Sequence, residues 1–152
     1  MDKLLELLKE KHLTLGSIES MTGGLFSATF CDVPGASKVF KGSIVTYATS
    51  EKTRLLGMNP LTIEKEGVVS EEVAKEMAQK GKEVLDVDVC VSITGNAGPS
   101  VEPGGKPVGR AYVGIFYAGF TKVFELNLKG SRNEIRKEAI FKMADLVIET
   151  IR

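Results

Sequence analysis

The chain has 152 residues, 43% apolar and 26% charged, which suits one globular domain able to bury a core without disulfide or metal staples. Lys plus Arg and Asp plus Glu number 20 each, so the net charge is zero. A nucleic-acid-coating protein would carry a basic excess and a disordered chain would be less apolar. Cys31 and Cys90 form no CxxC pair and His12 is the only histidine, so no Cys/His zinc site of ordinary spacing is available; a carboxylate site for magnesium stays open but has no motif behind it, and no cofactor motif is present.

The N-terminal stretch places Leu4, Leu5, Leu7 and Leu8 on a helical stripe among acids and bases. It predicts a surface helix over residues 3–11 with Asp2 as N-cap, not a signal peptide. No apolar run approaches the roughly 20 residues that span a bilayer, and a cytoplasmic location is expected. Leu13 to Ile18 reads as the first strand. Thr22 to Phe30 reads as a helix opening on two glycines, and Pro34-Gly35 then breaks the chain. The β-branched run Gly42 to Tyr47 is the second strand. Thr49 or Ser50 caps a short helix through Leu56, closed by Gly57. Asn59-Pro60 opens another turn of helix that ends at Gly67. Ser70 caps a longer helix with Val73, Met77, Ala78, Val84 and Leu85 on one face. Val87 to Thr94 is the most apolar strand and the expected sheet centre. Residues 95–107 form a long loop rich in glycine and proline, a feature that is more often functional than not. Arg110–Tyr117 and Lys122–Leu128 form a hairpin around Ala118-Gly119-Phe120. Ser131 and Glu134 make a capping box for a last helix over residues 132–151.

This order predicts an α/β sandwich. The first three strands are parallel because long helical crossovers join them, and the hairpin makes the fourth antiparallel to its neighbours. If the first and third strands are neighbours with the second outside the first, the connection reverses between them. Ligands in open α/β sheets bind beyond the carboxyl ends of strands at such a switch point. Two loops of glycine and small polar residues would meet there, Glu19 to Gly24 and Thr94 to Pro99.

Gly23 and Gly24 offer backbone N–H groups suited to an oxyanion or phosphate, or simply allow a tight turn. Ser20 stands where a strand gives way to a helix, as a nucleophile or as a helix cap; no GxSxG surrounds it. His12 is far away on the first helix, so a base for Ser20 must come from Lys, Tyr, Asp or Glu. Tyr47 ends the second strand on the same sheet edge, and Lys52 follows it. A lysine base must lose its proton near neutral pH, which burial and a helix N-terminus both favour. Glu19 would oppose that, so it should point elsewhere or bind the ligand. Ser37 is a second hydroxyl, but this topology puts it at the opposite end of the sheet. It reaches the crevice only if the connection climbs back or a neighbouring subunit supplies it, and a homodimer is the expected assembly. Lys106 and Arg132 are basic candidates for a phosphate, or ordinary solvated charges.

Taken in order, Glu19-Ser-Met-Thr-Gly-Gly24, Val33-Pro-Gly-Ala-Ser37, Gly42-Ser-Ile-Val-Thr-Tyr47 with Lys52, Gly67-Val-Val-Ser70, Thr94-Gly-Asn-Ala-Gly-Pro99, Lys106-Pro-Val-Gly109 and Gly130-Ser-Arg132 make the chain resemble the CinA C-terminal domain family, the nicotinamide-nucleotide amidohydrolases. The resemblance runs from about residue 2 to the end and implies a single domain over 1–152, without the molybdopterin-related domain that many members carry. It implies a three-layer α/β/α fold with a mixed five-stranded sheet, order 2-1-3-4-5, strand 4 antiparallel. It also implies deamidation of nicotinamide mononucleotide to nicotinate mononucleotide and ammonia, in pyridine-nucleotide recycling and without a metal. Ser20, Ser37, Tyr47 and Lys52 fall on the family's catalytic serine, tyrosine and lysine positions. Thr94 and Gly95 fall on its second glycine loop and Arg132 on a basic position suited to phosphate; together with Glu19, Thr22, Gly23 and Gly24 these are the expected substrate-binding residues. Met21 stands in place of a usual cysteine, Asn96 in place of an aliphatic residue, and Ser100-Val101-Glu102 in place of a glycine pair. The alternative is a non-catalytic nucleotide-binding module of a competence or damage response; a purely structural domain would gain no stability from any small molecule. The expected partner is a small-molecule nucleotide, not a membrane or a nucleic acid.

Overall fold

Alternation along the strands sorts side chains onto two faces, and the helices that cover those faces build the domain. The computed structural model describes residues 1–152. Its elements are α1 (Asp2–Glu10), β1 (Leu15–Glu19), α2 (Leu25–Cys31), β2 (Phe40–Val45), α3 (Thr49–Leu56), α4 (Pro60–Glu66), α5 (Glu71–Leu85), β3 (Val89–Gly95), β4 (Arg110–Tyr117), β5 (Phe120–Asn127) and α6 (Arg132–Ile151), with a 3-10 turn at Ala36–Lys38. The sheet order is β2-β1-β3-β4-β5. β1 runs parallel to β2 and β3, while β4 is antiparallel to β3 and β5, so the expected mixed sheet is the one that forms.

On one face Val89, Val91 and Ile93 of β3 and Val113 and Ile115 of β4 pack against α1, α2 and α6 in a core of 25 buried residues. On the other, Ile18 and Cys90 meet α3 and α5 through Leu56, Val73 and Met77. Here α5 lies close to the sheet, because Gly81 and Gly114 carry no side chain. A Cβ on Gly81 would stand 2.3 Å from Ile18 Cγ1, and one on Gly114 2.4 Å from the Ala74 carbonyl oxygen.

Local signals account for most boundaries. Asn59 caps α4, Ser70 caps α5, and Ser131 with Glu134 forms the reciprocal capping box of α6. Ala118 and Gly119 both take positive φ, the geometry that a two-residue hairpin needs, so Phe120 belongs to β5 rather than to the turn. Other boundaries differ from expectation. Asp2 lies inside α1, which begins after Met1. Thr14 precedes β1, because its N–H and hydroxyl both bond the Asp88 carboxylate. Gly23 and Gly24 have positive φ and form the turn before α2, not its first residues. Ala48 occupies the N-cap of α3 in place of Thr49 or Ser50. Val84 is 52% exposed and leaves the buried face of α5. No helix is long and apolar enough to cross a membrane.

Candidate active site

β1 ends at Glu19, and the alternation of side chains sends Glu19 and Ser20 to opposite faces of the sheet. Ser20 follows Ile18 onto the α3 face. There Lys52, the fourth residue of α3, reaches it: Lys52 Nζ stands 3.1 Å from Ser20 Oγ and donates to the Thr46 carbonyl at 2.6 Å. Lys52 is 0% exposed and Ser20 is 9% exposed. Burial alone pushes the Lys52 ammonium down from 10.5 to about 8, because a charge removed from water loses its solvation. The shift needs no helix dipole. An amine fixed by one N–H to Thr46 O can turn its lone pair toward Ser20, which is the arrangement of a serine with a neutral lysine base.

The hydroxyl opens onto a cavity of about 230 Å³ lined by Ser20, Met21, Tyr47, Thr94, Gly95 and Arg132 among others. A second cavity of about 360 Å³ adjoins it and shares Val68, Val69, Gly95, Asn96 and Arg132. Lys106, Glu66 and Glu102 line only this larger one. The two glycine loops therefore share one pocket at the switch point between β1 and β3. Tyr47 is half exposed and its hydroxyl accepts a hydrogen bond from Arg132 Nη2 at 2.9 Å. Arg132 Nη1 also bonds the Gly98 carbonyl, so one guanidinium joins α6, the 96–106 loop and Tyr47. Lys52 is held by Thr46 and Ser20, while the Tyr47 hydroxyl bonds Arg132 instead.

Other expected residues have different work. Glu19 is wholly buried against α2 and lines neither cavity. Its carboxylate accepts from Thr22 Oγ1 at 2.7 Å, Phe26 N at 2.9 Å, Ser27 N at 3.0 Å and Ser43 Oγ at 3.2 Å. It satisfies the free N–H groups at the start of α2, and Thr22 serves the same anchor. Gly23 lends conformation rather than a free donor, since its N–H bonds the Ser20 carbonyl at 3.0 Å. Neither Gly23 nor Gly24 lines the two cavities. Thr94 lines the smaller cavity, but its hydroxyl donates to the Val68 carbonyl at 2.7 Å and so fastens the 67–69 segment to the pocket wall. Ser37 is not brought to Lys52 within one chain. It sits in the 3-10 turn before β2, where Leu15 N bonds Val39 O at 2.8 Å, at the amino end of β1. A parallel neighbour that starts beside Leu15 cannot present its preceding turn at Ser20.

Three contributors lie outside the expected set. Thr46 acts through a main-chain carbonyl, which leaves no mark in side-chain identity. Asn96 ties its own loop: Oδ1 accepts from Gly98 N at 2.9 Å, and Nδ2 donates to the Ser100 and Lys106 carbonyls, both at 3.1 Å. Arg136 donates from Nε to Met21 O at 3.0 Å and from Nη2 to Thr22 O at 2.9 Å. Its position four residues after Arg132, on the same helix face, was its one visible signal. Cys90 is no nucleophile candidate, because burial pushes its thiol up to about 12.

The family pattern described as the CinA C-terminal domain matches residues 1–151. A protein of Alkaliphilus oremlandii described as competence-damage inducible is 49% identical over 142 residues, covering 93% of this chain and 34% of that protein. A CinA-like protein of Petrotoga mobilis is 42% identical over 149 residues, covering 98% of this chain and 37% of that one. The chain thus spans about a third of the length of the curated relatives it matches. The crystal structure of a competence or damage-inducible protein from Enterobacter asburiae superposes with a TM-score of 0.96 at 25% identity, covering 99% of this chain and 95% of the other. Sequence match and fold agree from end to end, and the chain belongs to the CinA C-terminal domain family.

Proposed function

We propose that the domain is an amidohydrolase of the serine/lysine type that deamidates nicotinamide mononucleotide to nicotinate mononucleotide and ammonia. The observation that carries this reading is the contact between Lys52 Nζ and Ser20 Oγ, with burial of the amine lowering the lysine toward neutral pH. Neutral Lys52 takes the Ser20 proton as Oγ forms a bond to the carboxamide carbon. The tetrahedral intermediate collapses when Lys52 returns that proton to the departing nitrogen, which breaks the C–N bond and releases ammonia. Water, deprotonated by Lys52, then cleaves the Ser20 ester and frees the carboxylate.

Gly95 N–H is the best-placed backbone donor for the developing oxyanion. Ile93, two residues earlier on β3, turns its carbonyl toward Ser20 N at 3.2 Å, so strand alternation turns the Gly95 N–H to the same side. The larger cavity takes the ribose phosphate, with Lys106 and Arg132 as its cations. Both steps use only side chains and backbone of this chain, and neither needs a cofactor.

The test is ammonia release from nicotinamide mononucleotide by the purified chain, read by a coupled dehydrogenase assay, with Ser20→Ala and Lys52→Ala beside the native protein. Equimolar ammonia and nicotinate mononucleotide from the native chain, lost in both variants, is the expected result. Ligand-induced stabilisation without ammonia would instead assign a nucleotide-binding role. Turnover retained by Ser20→Ala would remove the serine mechanism.

A further inference from the structure

We infer that Arg136 is a positioning residue that holds the Ser20 hydroxyl in line with Lys52, an inference that rests on Ser20 being the nucleophile. The turn after Ser20 runs through Met21 and Thr22 into Gly23 and Gly24, both at positive φ. Two consecutive glycines make a soft backbone, with more conformations to lose on ordering than other residues have. Yet the nucleophile depends on this turn. Arg136 reaches across 115 and 114 residues to bond two successive carbonyls of it, Met21 O at 3.0 Å and Thr22 O at 2.9 Å.

The second bond transmits directly to Ser20. The peptide between Thr22 and Gly23 is rigid and planar, so its oxygen and its N–H point in opposite directions. Arg136 holds the oxygen, and the N–H at the far side donates to the Ser20 carbonyl at 3.0 Å. The guanidinium fork therefore fixes the Ser20 backbone through one rigid plate. Its third contact, from Nη1 to Asn133 Oδ1 at 3.2 Å, holds the fork to its own helix. All three partners are neutral oxygens, so the contact is not an ion pair.

The packing of α6 has anchors apart from this contact. α6 is already anchored by Ile135, Ala139, Met143 and Val147, all buried in the larger core. A residue that served only stability would be redundant there. A residue that aims a hydroxyl would not, because a displacement of about 1 Å at a reacting atom lowers rate by up to about 100-fold.

The experiment compares native protein with Arg136→Ala and Arg136→Lys in two assays. The first is the rate at which a fluorophosphonate phosphonylates Ser20, followed by intact mass; the Oγ–P bond forms, the P–F bond breaks, fluoride leaves and the proton passes to Lys52. The second is steady-state deamidation of nicotinamide mononucleotide. Arg136→Ala should label roughly 10- to 100-fold more slowly and lose a similar factor in kcat. KM should stay within about twofold and the melting temperature should be nearly unchanged. Added guanidinium at tens of millimolar should restore part of both rates, whereas Arg136→Lys should not, because an ammonium cannot bridge two carbonyls as a fork. Labelling of Arg136→Ala at the native rate overturns the positioning role. A slower rate that tracks a fall in melting temperature, with no rescue by guanidinium, overturns it too. A native protein whose Ser20 resists the reagent overturns the nucleophile and this inference together. Labelling of the native protein without turnover of the nucleotide removes only the proposed substrate.

Discussion

A lysine stripped of water holds its proton weakly, and Lys52 is the residue whose chemistry this fold changes most. If it is the base, kcat/KM should climb with pH through a limb near 8, since the amine must be neutral to accept the serine proton. Lys52→Ala should lower turnover by on the order of 100-fold or more, and Lys52→Arg should not restore it because guanidinium stays protonated. The same burial has a stability sign. Below pH 8 folded and unfolded chains both carry the proton, and the folded one holds it at a disadvantage. Between about 8 and 10.5 only the unfolded chain binds it, so rising pH favours the fold by roughly 3 kcal/mol from this group. Lys52→Met should therefore match or exceed native stability in urea at pH 7, with the difference shrinking toward pH 10; a less stable variant at pH 7 would contradict the assignment. Removing Glu19 should have the opposite effect on stability. Glu19→Ala removes the acceptor of two α2 N–H groups and should lose about 3 kcal/mol or more in the same titration. A Glu19 variant that keeps its stability and raises only KM would return the carboxylate to substrate binding. Ser20 and Lys52 were legible as a pair because strand-to-helix turns expose hydroxyls, but their environment was not, since burial belongs to the packed molecule.

At the scale of elements, propensity and packing make opposite predictions for Gly81. Alanine is favoured over glycine within a helix by about 1 kcal/mol. Yet a Cβ at Gly81 would meet Ile18 Cγ1 at 2.3 Å and Cys90 Sγ at 2.8 Å, where α5 crosses β1 and β3. Overpacking of this kind costs about 1–3 kcal/mol, so Gly81→Ala should lower the urea midpoint. A gain would mean that α5 can lift off the sheet freely. The 96–106 loop has its own internal brace in Asn96. Asn96→Leu removes three hydrogen bonds inside the loop while leaving the sheet intact, so faster amide exchange in residues 97–106 and a severalfold higher KM should appear without a matching drop in global stability. Exchange unchanged in that loop would show that the cavity walls hold it without the amide. The Asn59, Ser70 and Ser131 caps were readable as short-range patterns and formed where expected, whereas those of α1 and α3 were not. The start of β1 and the start of α2 were less readable, because an aspartate 74 residues away and a buried glutamate decide them.

Across the whole molecule, the reversal of strand order between β1 and β3 gathers one pocket from residues 20, 47, 95 and 132, with buried Lys52 behind Ser20. Strand periodicity, crossover length, the hairpin and the capping box depend on residues close together along the chain, so composition and spacing were enough to reach the layered α/β architecture. The ordered motifs were enough to reach the family. Direction and depth required the folded chain. Whether Ser37 stands near Ser20 depends on which end of β2 its turn occupies, and parallel pairing puts it at the far end. Whether Lys52 is a base depends on α3 closing over it, and whether Glu19 binds a ligand depends on α2 sitting on the other face. Thr46 contributes a main-chain carbonyl and Arg136 a span of more than a hundred residues. Local sequence governs what each segment can form by itself; contacts between distant segments, made only once the sheet order closes, govern which of its polar groups lose water and which partners they meet.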